Sequence, residues 1–104
     1  MRPLMIAALL LSSAVPALAQ EIGDPKKGLD YAERNCAECH AVEAANTDST
    51  NPEAPPFQLV ARDPELSDLA LTVFFQSPHE GMPDLIVEGA DARDLIAYIR
   101  SLEP

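Results

Sequence analysis

Cys36-Ala37-Glu38-Cys39-His40 is the stretch whose residue types and spacing could do chemistry. Cys-x-x-Cys-His is the attachment signature of a c-type haem. Two thiols at this spacing can add across the two vinyl groups of one porphyrin and hold it by thioether bonds. A histidine directly after the second cysteine can reach the iron from the same side. These are the only two cysteines in the chain, so the motif uses up the thiol inventory.

Three other readings of the pair are open. A thioredoxin-like redox pair needs a strand before the motif, and the preceding segment reads as helix. A zinc site needs more ligands at suitable spacing, and only His79 remains. A structural disulfide suits an exported chain but gives no reason for His40 to follow at once.

The elements that must position these residues are few. The chain has 104 residues, enough for one domain. Residues 1–19 read as a cleaved secretory signal peptide. Arg2 gives the positive n-region, Leu4 to Val15 the apolar run, and Ala17-Leu18-Ala19 the small-x-small cleavage site before Gln20. The apolar run is about a dozen residues, short of the roughly 20 that span a bilayer. The expected mature domain is residues 20–104, exported to the periplasm, with no transmembrane segment after leader cleavage.

A domain of about 85 residues makes a thin core. It has no tryptophan and five aromatic residues, Tyr31, Phe57, Phe74, Phe75 and Tyr98. A buried porphyrin would supply apolar volume. Without the leader, six Lys/Arg stand against 17 Asp/Glu, a net charge of about −11. That excludes nucleic acid as a partner, because phosphate binding needs a basic footprint. It favours a basic protein partner. Glu33, Glu38, Glu43, Glu53, Glu65, Asp68 and Glu80 read as solvated surface, with no pairing that suggests acid–base catalysis.

Asp24-Pro25 opens a helix, with Asp at the N-cap and Pro at the first helical position. That helix is expected from Lys26 to about Cys36, with Leu29, Ala32 and Tyr31 inward. Residues 41 to 56 show no periodicity and hold the polar run Asn46 to Pro52, followed by Pro55-Pro56. Asp63-Pro64-Glu65 reads as a second helix start. Leu66, Leu69, Ala70, Val73 and Phe74 then recur at helical spacing, predicting an amphipathic helix that stops near Ser77-Pro78. After the irregular Pro78 to Pro83 and the apolar Leu85-Ile86-Val87, a last helix is expected over about 90–102. Its stripe is Leu95, Ile96, Ile99 and Leu102, with Tyr98 beside it. No strand, repeat or phosphate loop stands out. The class is all-α, with three main helices and long loops.

In this order the features resemble class I cytochrome c, the small monohaem electron carriers. The resemblance runs from about Asp24 to Leu102. It implies a cytochrome c fold wrapped around one covalent haem c, with Cys36 and Cys39 as thioether attachments and His40 as proximal iron ligand. It implies that the Pro55 carbonyl accepts a hydrogen bond from the His40 imidazole, with the Pro56 carbonyl as competitor. It matches Met82, in Gly81-Met82-Pro83, to the distal thioether ligand, with His79 as rival. Gly28 matches the small residue where the N-terminal helix crosses the C-terminal one, the helix that carries Leu95 and Tyr98. Two positions depart from the family. Ala32 stands where an aromatic is common, one turn before Cys36, with Tyr31 next to it. The tryptophan that larger members aim at a haem propionate is missing, and Arg62 and His79 are the remaining candidates.

The implied function is one-electron transfer between Fe(II) and Fe(III) by a periplasmic carrier that is not an enzyme and has no catalytic residues. It would act as a monomer or as a subunit of a redox complex, with redox partners that carry a basic docking face. The rivals are a haem c subunit working only within a dehydrogenase or oxidase, a haem protein with an open distal site, and a disulfide-stapled binding module without haem.

Overall fold

The computed structural model describes residues 22–77, 80–82 and 85–104. The expected leader, His79 and Pro83 lie outside the described residues. Four helices follow in order: α1 (Pro25–Asn35), α2 (Phe57–Arg62), α3 (Asp68–Gln76) and α4 (Gly89–Ser101). Among the described residues there is no strand, only an isolated bridge position at Met82. No helix among them is long and apolar enough to cross a membrane.

α1 starts as its sequence dictates. The Asp24 carboxylate accepts from the Lys26 amide at 2.9 Å, and Pro25 occupies a first-turn site where no amide is needed. The Asp24 amide itself donates to the Asp94 carboxylate on α4 at 2.8 Å. α1 and α4 form the main helix pair, and Gly28 is where they come closest. A Cβ built on Gly28 would stand 1.9 Å from the Asp94 carbonyl oxygen and 2.7 Å from Tyr98 Cβ. Only a residue with no side chain permits that approach. Ala32, one turn later, is fully buried beside the same helix, and a larger side chain there would push α1 away. Leu95, Ile99 and Val87 are the largest fully buried side chains, so the core sits between α1, α4 and the segment entering α4.

The C-terminal stripe takes its expected place. Leu95, Ile96, Ile99 and Leu102 are all buried, as is Tyr98. The middle of the chain differs from expectation in three ways. First, Phe57–Arg62 forms a short helix, α2, where no helix was expected. Six residues are too few to show a period. Second, Asp63-Pro64-Glu65 is a turn and not a helix start. The Asp63 carboxylate accepts from the Glu65 amide at 2.9 Å, and its carbonyl from Leu66 at 3.1 Å. The true N-cap is Ser67, whose hydroxyl accepts from the Ala70 amide at 3.1 Å. Third, α3 buries Leu71 and Phe75, while Leu69 and Val73 stay 74% and 56% exposed. The apolar stripe read from the sequence is thus a second face, turned away from α4.

Arg100 fixes α3 against α4. Its guanidinium meets the Asp68 carboxylate at 2.6 Å and the Glu103 carboxylate at 2.6 Å, and donates to the carbonyls of Ala61 and Leu66. One half-buried cation thereby satisfies the end of α2, the turn and the start of α3. Asp68 is accordingly part of a fixed network.

The helix crossing gives a direct test. Gly28→Ala should lower the unfolding free energy by about 3 kcal/mol, since a methyl forced into backbone contact must push two helices apart. The denaturant midpoint of the haem-loaded protein measures it. A midpoint within error of wild type would mean that α1 and α4 do not meet at Gly28.

Candidate haem-attachment site

The last turn of α1 runs straight into the motif. The Cys36 and Ala37 amides donate to the Ala32 carbonyl at 2.8 and 3.0 Å, and the Cys39 and His40 amides to the Cys36 carbonyl at 3.2 and 2.9 Å. The chain keeps coiling through the motif, so Cys36, Cys39 and His40 rise from adjacent turns of one short spiral. Both thiols are free. Cys36 is buried and Cys39 exposed. Burial pushes the Cys36 thiol up to about 11. A disulfide-exchange pair needs a thiol shifted the other way, so the environment of Cys36 disfavours the redox-pair reading. Among the described residues no three or more His, Cys, Asp or Glu side chains converge to hold a metal ion by themselves.

His40 is half-buried, with Nδ1 2.7 Å from the Pro55 carbonyl oxygen. A carbonyl can only accept, so Nδ1 carries a proton, and in the neutral ring the lone pair is then on Nε2. That leaves Nε2 as the nitrogen able to bind a metal. The Pro56 carbonyl is committed elsewhere, accepting from the Leu59 and Val60 amides at 3.0 and 3.1 Å as α2 begins. Two prolines in a row suit this place, since neither brings an amide that would need a partner.

The backbone after His40 is held from several sides. The Phe57 amide donates to the Ala41 carbonyl at 2.9 Å, and the Ala41 amide donates to the Ser49 hydroxyl at 2.9 Å. The Tyr98 hydroxyl donates to the Val42 carbonyl. Gln58 is the buried polar side chain of this region. It donates to the Leu102 carbonyl at 2.6 Å and accepts from the Ala45 amide at 3.0 Å. That second bond holds Ala45 at φ 61°, in the left-handed region that alanine rarely visits. Phe57 and Gln58 were missed in the sequence because their helix is so short. The Pro-Pro pair before it and Arg62 at its end were the available signals.

Met82 is partly buried in the turn opened by Gly81, whose φ of 91° is natural only to glycine. The chain re-enters the core at Val87, whose amide donates to the Phe75 carbonyl at 2.8 Å. Arg62 is exposed at the end of α2. The sequence showed no pairing among the carboxylates, yet Glu33 on α1 and Glu43 meet. A hydrogen bond between them is the main cause that raises the Glu33 carboxyl above its ordinary value. Both side chains are exposed, so the pair is a local like-charge contact at the surface.

The donor set fits a c-type haem. Two free thiols stand one turn apart, and a histidine beside them has its Nε2 lone pair free. Large apolar side chains at Leu59, Leu69, Val73, Phe74 and Ile86 remain open to solvent, the kind of surface a porphyrin can cover.

Tyr98 tests how this loop is held. Tyr98→Phe leaves the buried Val42 carbonyl without its donor and should cost about 1–3 kcal/mol of stability. Chemical denaturation of the haem-loaded protein gives the value. An unchanged midpoint would show that water replaces the tyrosine without loss.

No family model matches the chain, and no solved structure matches it. Among curated proteins it is similar to cytochrome c-552 of Bradyrhizobium diazoefficiens, with 36% identity over 104 residues, all of this chain and 96% of the relative. Likeness of that extent from end to end, on a helical chain with both cysteines of the attachment turn free, makes this protein a member of the cytochrome c family with covalent haem c as its cofactor.

Proposed function

We propose that this cytochrome c is a class I, monohaem, periplasmic electron carrier in which His40 and Met82 bind the iron from opposite faces. The observation that carries the reading is the His40 imidazole, with Nδ1 committed to Pro55 at 2.7 Å and Nε2 free. A ligating histidine needs such an outer partner to fix its tautomer and raise its basicity. Bound haem supplies a one-electron Fe(II)/Fe(III) couple. The chain does the rest. Cys36 and Cys39 hold the cofactor by thioethers, so it stays bound at any dilution. Pro55 holds His40 in one orientation. Met82 is the sole methionine beyond the leader region, set in a loop where its thioether is not consumed by a helix core. A Met/His pair raises the potential relative to two histidines. With His40 and Met82 both holding the iron there would be no open site for a substrate, which favours a carrier over an enzyme.

Residues 1–19 are a signal peptide in this reading, and residues 20–104 the exported domain. The acidic surface steers a basic redox partner to the carrier. Glu38 and Glu43 are exposed in or just after the attachment motif and would lie nearest the docking face.

Two measurements test the reading. Oxidised protein should show the weak far-red band of a sulfur–iron bond. Met82→Ala should abolish it, and His79→Ala should leave it intact; the reverse pattern would make His79 the ligand. Second, the rate of electron exchange with a basic partner should fall as salt is added, because screening shortens the reach of the acidic field. A flat response would limit the charge to solubility.

A further inference from the structure

Phe57 is placed to do more than fill space. Its ring centroid lies 5.4 Å from that of His40, with the planes inclined by 54°. That is the contact range and tilt of an interacting aromatic pair. The ring itself cannot shift. Phe57 is 5% exposed, and its amide is bonded to the carbonyl of Ala41, the residue next to His40. The following side chain, Gln58, is pinned at both ends, to Leu102 and to Ala45.

Consider what then restrains the imidazole. The His40 amide is bonded to Cys36, which fixes the root of the side chain. The bond from Nδ1 to Pro55 fixes one edge. A single bond to a carbonyl tolerates a broad range of directions, so the ring plane can still swing about that edge. A rigid aromatic ring in contact removes the swing. Residues 40–41 and 55–57 therefore clasp each other by three contacts, of which two act on the imidazole.

Resting on the reading of His40 as proximal ligand, we infer that Phe57 is a positioning residue that fixes the plane of the His40 ring, a role the Pro55 bond does not fill alone. Were haem bound, the plane of the His40 imidazole would help decide, together with the orientation of the thioether on the other face, which iron orbital carries the unpaired electron in the oxidised state. It would thereby contribute to the spin distribution over the porphyrin and to the potential. A plane held by the fold is the same in both oxidation states, so electron transfer need not wait for the ring to turn.

The test is proton NMR of the oxidised, haem-loaded protein, with the midpoint potential measured alongside. Phe57→Leu and Phe57→Met keep most of the buried volume and remove the ring; either one suffices if the other does not accumulate. Phe57→Tyr keeps the ring. Leu71→Ala, in the core of α3, is the control for lost packing alone. Loss of the ring should change the order of the four haem methyl resonances and shift the potential. Phe57→Tyr should retain the wild-type order, and Leu71→Ala should lower stability yet retain it too. If Phe57→Leu or Phe57→Met loses stability with the wild-type methyl order and potential, Phe57 is packing only and the inference fails. If the His40 ring protons of wild type show no hyperfine shift, His40 is not the ligand, and the inference falls together with the proposed function.

Discussion

The structure depends on the contact between α1 and α4 at Gly28. That approach is closer than any side chain allows, and it sets where both helices can lead. α1 leads from it into Cys36 and the attachment turn. α4 leads into Tyr98, Arg100 and Leu102, which grip the rest of the chain. Asp94, Tyr98 and the C-cap residue Leu102 recur every fourth residue and so follow one face of α4 to its end. Asp94 caps the start of α1, Tyr98 holds the carbonyl of Val42, and the carbonyl of Leu102 receives Gln58. Arg100 gathers the turn between α2 and α3. The C-terminal helix is therefore a rail on which the segments around the attachment motif are fixed.

The consequence is that the surroundings of His40 are built entirely by the chain. Backbone from 39 to 45 has no regular secondary structure, yet several of its groups are paired. Ala41 is bonded on both its amide and its carbonyl, Val42 by Tyr98, Ala45 by Gln58, and the Cys39 carbonyl by the Asn51 amide at 3.0 Å. In a domain this small such polar pairing supplements a thin core. The side chains of α3 complement it. Leu71 and Phe75 belong to the protein core, and the opposite apolar face, with Leu69 and Val73, stays open to solvent.

Much of this was legible in the sequence, for identifiable reasons. α1 and α4 carried strong local signals: Asp24-Pro25 at one start, and a stripe from Leu95 to Leu102 along the other. The small residue at the crossing, Gly28, followed from the resemblance and met its steric reason in the backbone of Asp94. The motif at Cys36 to His40 named its own cofactor by spacing. α2 was not legible, because six residues give no period. The start of α3 was misplaced because Asp63-Pro64-Glu65 has the letters of a helix cap but spends its carboxylate on a tight turn. The apolar stripe of α3 was real but its direction was not readable. A sequence shows that a face is apolar, and cannot show whether protein or cofactor covers it. Gln58 and Tyr98 were equally out of reach as partners of the loop, since their bonds span 44 and 56 positions.

Iron-edge X-ray absorption tests the proposed coordination most directly. The account predicts one sulfur and five nitrogen neighbours, four from the porphyrin and one from His40, unchanged between the oxidised and reduced protein. A shell of six nitrogens, or a position that opens on reduction, would contradict it.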